Sequence, residues 1–292
     1  MNELFMFRII KLNSLSFLFS VIALVMLMNS SALCQHVSDS TSRTIIRMKN
    51  GEEYRGQIIT MDSSRIVLQT TNGEMNLVKA NIKSIRTSDY HGLYAFENPK
   101  RSSYLLGPTA IPLGKKNGNY QNISLFLNFF NYGLTNNIDL GVGFLFPFFG
   151  DRPTWYFSPK ITFDIDRTLH IGGGVFGLQF FDEASASFCY GVATLGNSDA
   201  NISFTTGWGF VDNEFSSQPM VIISGIQRVG KSMALFTENF IIPDGSGSTI
   251  YFGIHGFRIM SSKSAWDFGF TIFPDDEQDF LVFPLISFLR AF

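Results

Sequence analysis

From residue 101 to the C-terminus, apolar and polar positions alternate along the chain. The stretch WDFGFTIF places Trp266, Phe268, Phe270 and Ile272 on one side of an extended backbone, and Asp267, Gly269 and Thr271 on the other. The same period of two recurs in twelve segments of about ten residues: 102–110, 121–133, 136–148, 154–165, 168–181, 184–195, 200–212, 217–229, 232–242, 248–260, 264–273 and 281–291. None carries the 3.6-residue period of an amphipathic helix. The prediction is an all-β chain.

The alternation fits two architectures. A soluble sandwich buries its apolar faces in a core. A membrane-spanning barrel turns them to lipid. Segment length favours the second, because a tilted membrane strand needs roughly 9–11 residues and a soluble strand averages about 5 or 6. So does composition. Of 32 Phe, 27 follow residue 101, and Trp155, Trp208 and Trp266 all fall on apolar faces, as an interfacial aromatic girdle requires. Phe268 and Phe270 belong to the same candidate lipid face. The opposite faces are built of Gly, Ser, Thr and Asn with scattered charges, where a soluble sheet would carry more Lys and Glu. Asp139, Lys160, Asp164, Glu238 and Asp267 are the charges expected inside the lumen. There they should pair, with Lys160 at the centre of an ion network.

The chain ends Ser-Phe-Leu-Arg-Ala-Phe. Phe292 at the terminus, with Phe288 and Ile286 keeping the alternation, resembles the C-terminal strand signal of Gram-negative outer-membrane β-barrel proteins. Arg290 departs from that pattern. The resemblance implies an up-and-down antiparallel barrel of about 12 strands (10–12), in contact with outer-membrane lipid. Sheet edges cannot stand in lipid, so the barrel must close, and an even strand number puts both of its ends on one side.

The region before residue 88 differs in character. Residues 43–86 carry eight basic and four acidic residues, whereas the chain from 87 onward carries 12 basic and 18 acidic ones. Asn50-Gly51 and Asn72-Gly73 are hairpin signals between short β-rich runs. Five strands are predicted over 43–88. The string from Met48-Lys49-Asn50-Gly51 through Gly56, then RIVL and IKSI, resembles the Sm-like and SH3-like small barrels. Residues 89–100 read as a linker, and 101–292 as the large barrel. Sm-like proteins often bind RNA, but this region's only aromatic residue for base stacking is Tyr54. A docking module for an envelope protein partner is expected instead, with no nucleic acid.

At the N-terminus, Arg8 and Lys11 precede the apolar run Leu18–Met28, which is too short to span a bilayer as a helix. Small residues follow, so 1–34 reads as a signal peptide, with Cys34 at the cut or as a lipidated residue. Cys189 then has no partner for a disulfide.

Candidate chemistry is sparse. His36, His91, His170 and His255 show no metal-type spacing, and no G-x-S-x-G elbow exists. Gly172-Gly173-Gly174 lacks the Lys-Ser/Thr of a phosphate loop. The acidic tip 275–279 lacks a calcium-loop pattern. Neither catalytic residues, cofactor nor metal is expected, and the chain is read as no enzyme. The function expected is a narrow passive pore, or a structural or interaction platform with a periplasmic docking module. The alternatives are a soluble periplasmic or secreted β-protein with an apolar core or lipid pocket, and a barrel enzyme acting on lipid through His170 or His255.

Overall fold

The computed structural model describes residues 43–70, 73–88, 94, 96–145, 154–179, 185–211, 214–243, 249–274 and 280–292. The predicted signal peptide, Cys34 and the acidic tip 275–279 lie outside them. The chain divides into two compact units, separating near residue 96.

The smaller unit is an antiparallel sheet. Its strands are β1 (Arg43–Met48), β2 (Glu53–Met61), β3 (Arg65–Thr70), β4 (Gly73–Val78) and β5 (Ile82–Ser88), in the order β4-β3-β2-β1-β5. One 3-10 turn, Lys79–Asn81, precedes β5. Ile46, Met48, Ile66, Leu68 and Leu77 form its core. The turn after β2 is held by Asp62, whose carboxylate accepts the backbone N–H groups of Ser64 and Arg65. Those bonds stabilise the charged form and hold this carboxyl below its ordinary pKa.

The larger unit is a closed antiparallel barrel. Its wall strands are β6 (Gly118–Ile123), β7 (Leu127–Gly133), β8 (Ile138–Leu145), β9 (Thr154–Asp164), β10 (Leu169–Gln179), β11 (Ser185–Gly196), β12 (Ala200–Val211), β14 (Met220–Arg228), β15 (Met233–Pro243), β16 (Thr249–Met260), β17 (Ser264–Pro274) and β18 (Phe280–Ala291). A two-residue piece, β13 (Glu214–Phe215), only extends the edge of β12. Each wall strand pairs with the next, and β18 pairs with β6, from Ser287↔Ile123 to Ala291↔Asn119. Twelve strands therefore close without an edge, which is the condition for standing in lipid. The seam is completed at the terminus, where Gly118 and Phe292 exchange backbone hydrogen bonds of 3.1 and 2.9 Å. The end carrying this seam also carries the short turns 134–137, 165–168, 197–199, 229–232 and 261–263.

Twelve strands were predicted and twelve are found, but two predicted segments are corrected. Residues 102–110 are not in the wall. Gly107, Pro108 and Pro112 lie in or beside this segment, and proline has no N–H for a ladder and is not tolerated in a central strand. The segment lies inside the barrel instead. Residues 121–133, predicted as one strand, fold as the hairpin β6–β7. Its three-residue turn places Ser124 at φ 50° and Leu125 at φ 70°, both left-handed, and is closed by Phe126 N–H donating to Ile123 O at 3.1 Å. No glycine marks the turn. The side chains of Asn122 and Asn128 hold it, with Asn122 accepting Leu125 N–H at 3.1 Å, Asn128 donating to Phe126 O at 3.1 Å, and the two amides bonded at 2.9 Å.

Candidate functional site in the barrel lumen

Residues 97–113 run up the lumen and turn back at mid-height. Tyr104 N–H donates to Gly107 O and Thr109 N–H to Ser102 O, forming a tight internal hairpin. The wall holds it by charges aimed inward. Asp267 accepts from Lys100 Nζ and Arg258 Nε at 2.6 Å each, and all three side chains are buried. Arg258 also donates to the carbonyls of Lys100 and Tyr104 and to the side chain of Asn98. At the tip, Glu238 accepts the backbone N–H groups of Leu105, Leu106 and Gly107, at 2.5 to 3.2 Å. The Tyr104 hydroxyl donates to Ser203 at 2.8 Å and also contacts Asn201. On the opposite wall, Lys160 Nζ donates to the carbonyls of Ser102, Thr109 and Ile111 and lies 3.4 Å from Asp139, which accepts Leu113 N–H. A lone buried charge costs several kcal/mol; here Lys100, Arg258, Asp267, Lys160 and Asp139 are ion-paired, and Glu238 is held by backbone N–H donors.

Above the hairpin tip the lumen changes. Phe129, Tyr156, Phe176, Phe188, Phe240 and Phe252 lie on inward positions of their strands. Ring pairs run along this wall, with Phe129–Tyr156 at 4.6 Å, Tyr156–Phe176 at 5.2 Å and Phe240–Phe252 at 4.5 Å between centroids. Two inward glycines make room for the larger rings. A Cβ on Gly143 would collide with the Tyr156 ring, and one on Gly174 would lie 2.7 Å from the Tyr190 hydroxyl. Between the rings and the hairpin tip is a cavity of about 320 Å³.

The outer surface is apolar and aromatic. Trp155, Trp208, Trp266 and Phe270 are exposed at 49, 45, 46 and 44%, and Phe268 is half-buried among them. On the same strand, Asp267, Gly269 and Thr271 are buried and face inward. WDFGFTIF thus turns its greasy face outward, which no soluble core could leave uncovered, and the soluble reading is set aside. Phe288 is half-buried beside Trp266 at 4.7 Å, and Phe292 is exposed at the seam.

Of the charges expected in the lumen, Asp139, Lys160, Glu238 and Asp267 all contact the hairpin or its ligands and are buried. Asp164 is more open and pairs with His170 at 2.5 Å near the seam end. Sequence reasoning missed Lys100, Arg258, Tyr104 and the Arg228–Asp199 pair at 2.8 Å. An arginine at an inward position of β16, opposite Asp267 on β17, was the available signal, since register alone brings them together.

A closed twelve-stranded antiparallel sheet with an apolar, Trp-bearing exterior and a polar, charge-paired interior defines a class: it is an outer-membrane β-barrel protein. No family model matches the chain, and no curated protein matches it. Among solved structures it is similar to a loop L8 deletion mutant of OmpT, an outer membrane protein of Vibrio cholerae (12% identity over 86% of this chain and 97% of that one, TM-score 0.32), and to outer-membrane expressed OmpT of Vibrio cholerae (12% identity, 88% and 100%, TM-score 0.31).

The reading of the chain as no enzyme is withdrawn. The wall carries a hydroxyl–imidazole contact that the sequence did not reveal. Thr237 Oγ1 lies 2.8 Å from His255 Nδ1, and Asn239 donates to the same hydroxyl at 3.2 Å. These three occupy outward positions, on the side opposite Glu238.

Proposed function

We propose that this protein is a stoppered outer-membrane platform rather than an open passive pore. The observation that carries this reading is the hairpin 97–113, fastened on one side by the Lys100–Asp267–Arg258 cluster and at its tip by Glu238. A solute crossing the lumen would have to break several buried, charge-assisted hydrogen bonds, each worth about 1.5–3 kcal/mol. The periplasmic end is the one with the short turns and the seam. The small sheet, read as an Sm/SH3-like module with net positive charge and exposed Ile59, Met61, Val78 and Ile85, is suited to docking an envelope protein.

The test is single-channel recording of the refolded full chain in planar bilayers. The wild type is expected to give no steady conductance. A Glu238→Gln/Asp267→Asn variant, with both anchors weakened, is expected to give discrete openings. Steady conductance from the wild type would overturn the reading.

A second reading rests on the Thr237–His255 contact. A hydroxyl hydrogen-bonded to an imidazole is the pairing that activates a nucleophile, and this one points to the lipid side of the wall, with Thr237 buried beneath the half-buried His255 ring. This reading predicts slow release of fatty acid from mixed phospholipid–detergent micelles. That release would vanish in His255→Ala and Thr237→Val. Equal rates in wild type and both variants would exclude it.

A further inference from the structure

The two ends of the lumen are built for different company. A barrel interior in contact with water is normally polar. Here the upper lumen presents aromatic rings to a cavity of about 320 Å³, roughly ten waters' worth at about 30 Å³ each. Protein interiors are otherwise close-packed, and side chains able to meet usually do. Among the described residues, the ring pairs run along the wall, and none joins the Phe129–Tyr156–Phe176 side to the Phe240–Phe252 side. Their floor is the apolar hairpin tip, Leu105 and Leu106, and their wall includes Ile222 and Met220.

We propose that this cavity is a binding site for a small, neutral, largely apolar molecule, of aromatic or single-chain aliphatic type. Its size lies at the low end of small-molecule pockets, which run to about 300–1,000 Å³. The charge state of the ligand follows from what the floor has left to offer. Lys160 already serves three carbonyls and Asp139, while Glu238 already receives three backbone N–H groups. No charged side chain at the cavity is left to meet an ionic group. Tyr190 and Ser158 supply hydroxyls at one side, enough to orient a single alcohol or carbonyl oxygen. The site does not depend on whether the lower lumen conducts, so it is tested separately from the stopper.

The experiment is calorimetric titration of 1-naphthol into the full chain in lipid nanodiscs, with empty nanodiscs as the partition blank. The wild type is expected to show one saturable site. Ile222→Trp, which fills the cavity, should weaken binding at least tenfold while the barrel keeps its heat-dependent gel mobility. Met220→Trp serves the same purpose should the first variant fail to fold. Val142→Trp, on the outer face, should leave binding unchanged. Decan-1-ol should displace the probe and decanoate should not. Heats equal to those of empty discs, or equal in wild type and the cavity-filled variants, would overturn the site. Displacement by decanoate as readily as by decanol would overturn its preference for neutral ligands.

Discussion

The lower and upper halves of the lumen are made by the same twelve strands, yet they solve the problem of an enclosed interior in different ways. Below, polar wall residues reach inward and the chain supplies its own occupant, so that every buried charge finds a partner. Above, aromatic residues reach inward around a cavity, and none of the described residues outside the wall and the hairpin lines it. The contrast teaches that a barrel wall does not dictate what fills it. Inward alternation sets which residues face the axis, and a segment that is not part of the wall decides where the space is spent.

The largest blow to this contrast falls on the lower half. Asp267→Ala would leave Lys100 and Arg258 buried without a counter-charge, and breaking a buried pair in this way costs about 3–5 kcal/mol. Urea unfolding of the refolded barrel, followed by the loss of its fast-migrating gel band, should show that loss. A change below 1 kcal/mol would mean that the cluster does not fasten the hairpin. Glu238→Gln sits at the boundary between the halves. It keeps one acceptor oxygen but removes the charge facing three N–H donors, with an expected loss of about 1.5–3 kcal/mol. Labelling of a cysteine placed at the exposed Leu106 should accelerate in the same background.

In the upper half the effects shrink and change sign. Leu125 holds a left-handed conformation, which costs an L-residue with a side chain about 1–2 kcal/mol. Leu125→Gly should therefore stabilise the β6–β7 turn by up to about 1 kcal/mol, partly offset by the added freedom of glycine when unfolded. A destabilised variant would show that the exposed leucine makes contacts that outweigh the strain. Tyr156→Phe removes a hydroxyl from the cavity wall and should move stability by less than about 0.5 kcal/mol. A loss near that of Glu238→Gln would mean that the upper half is held by polar contacts after all, and the contrast would fail.

Much of the wall was legible because period-two alternation and closure are properties of the residues themselves. Trp266 and Asp267 declare opposite faces whatever their neighbours do. The occupant of the lumen was not legible in the same way. Residues 102–110 alternate well enough to imitate a strand, and only Gly107, Pro108 and Pro112 argue otherwise. The hairpin's partners lie far off in the chain: Glu238, which takes Leu105 N–H, is 133 residues from it, and Asp267, which takes Lys100, is 167 residues away. Local pattern cannot report a contact of that range. The β6–β7 turn escaped for the opposite reason. It is entirely local, but its left-handed residues are Ser124 and Leu125, and two asparagine side chains do the work that a glycine usually signals. The Thr237–His255 contact depends on cross-strand register, which alternation leaves open.

The hairpin enters the chain before any wall strand, and its last residues lead directly into β6 at the seam. That order has a consequence for assembly. The seam between β6 and β18 joins the first wall strand to the last, so the cylinder can be completed only after the C-terminal strand arrives. The hairpin can be in place by then, with Lys100 and the amides of its tip waiting for Asp267 and Glu238. The hairpin is thus a mandrel. The wall is wound around it, and the ring is shut by the terminal phenylalanine.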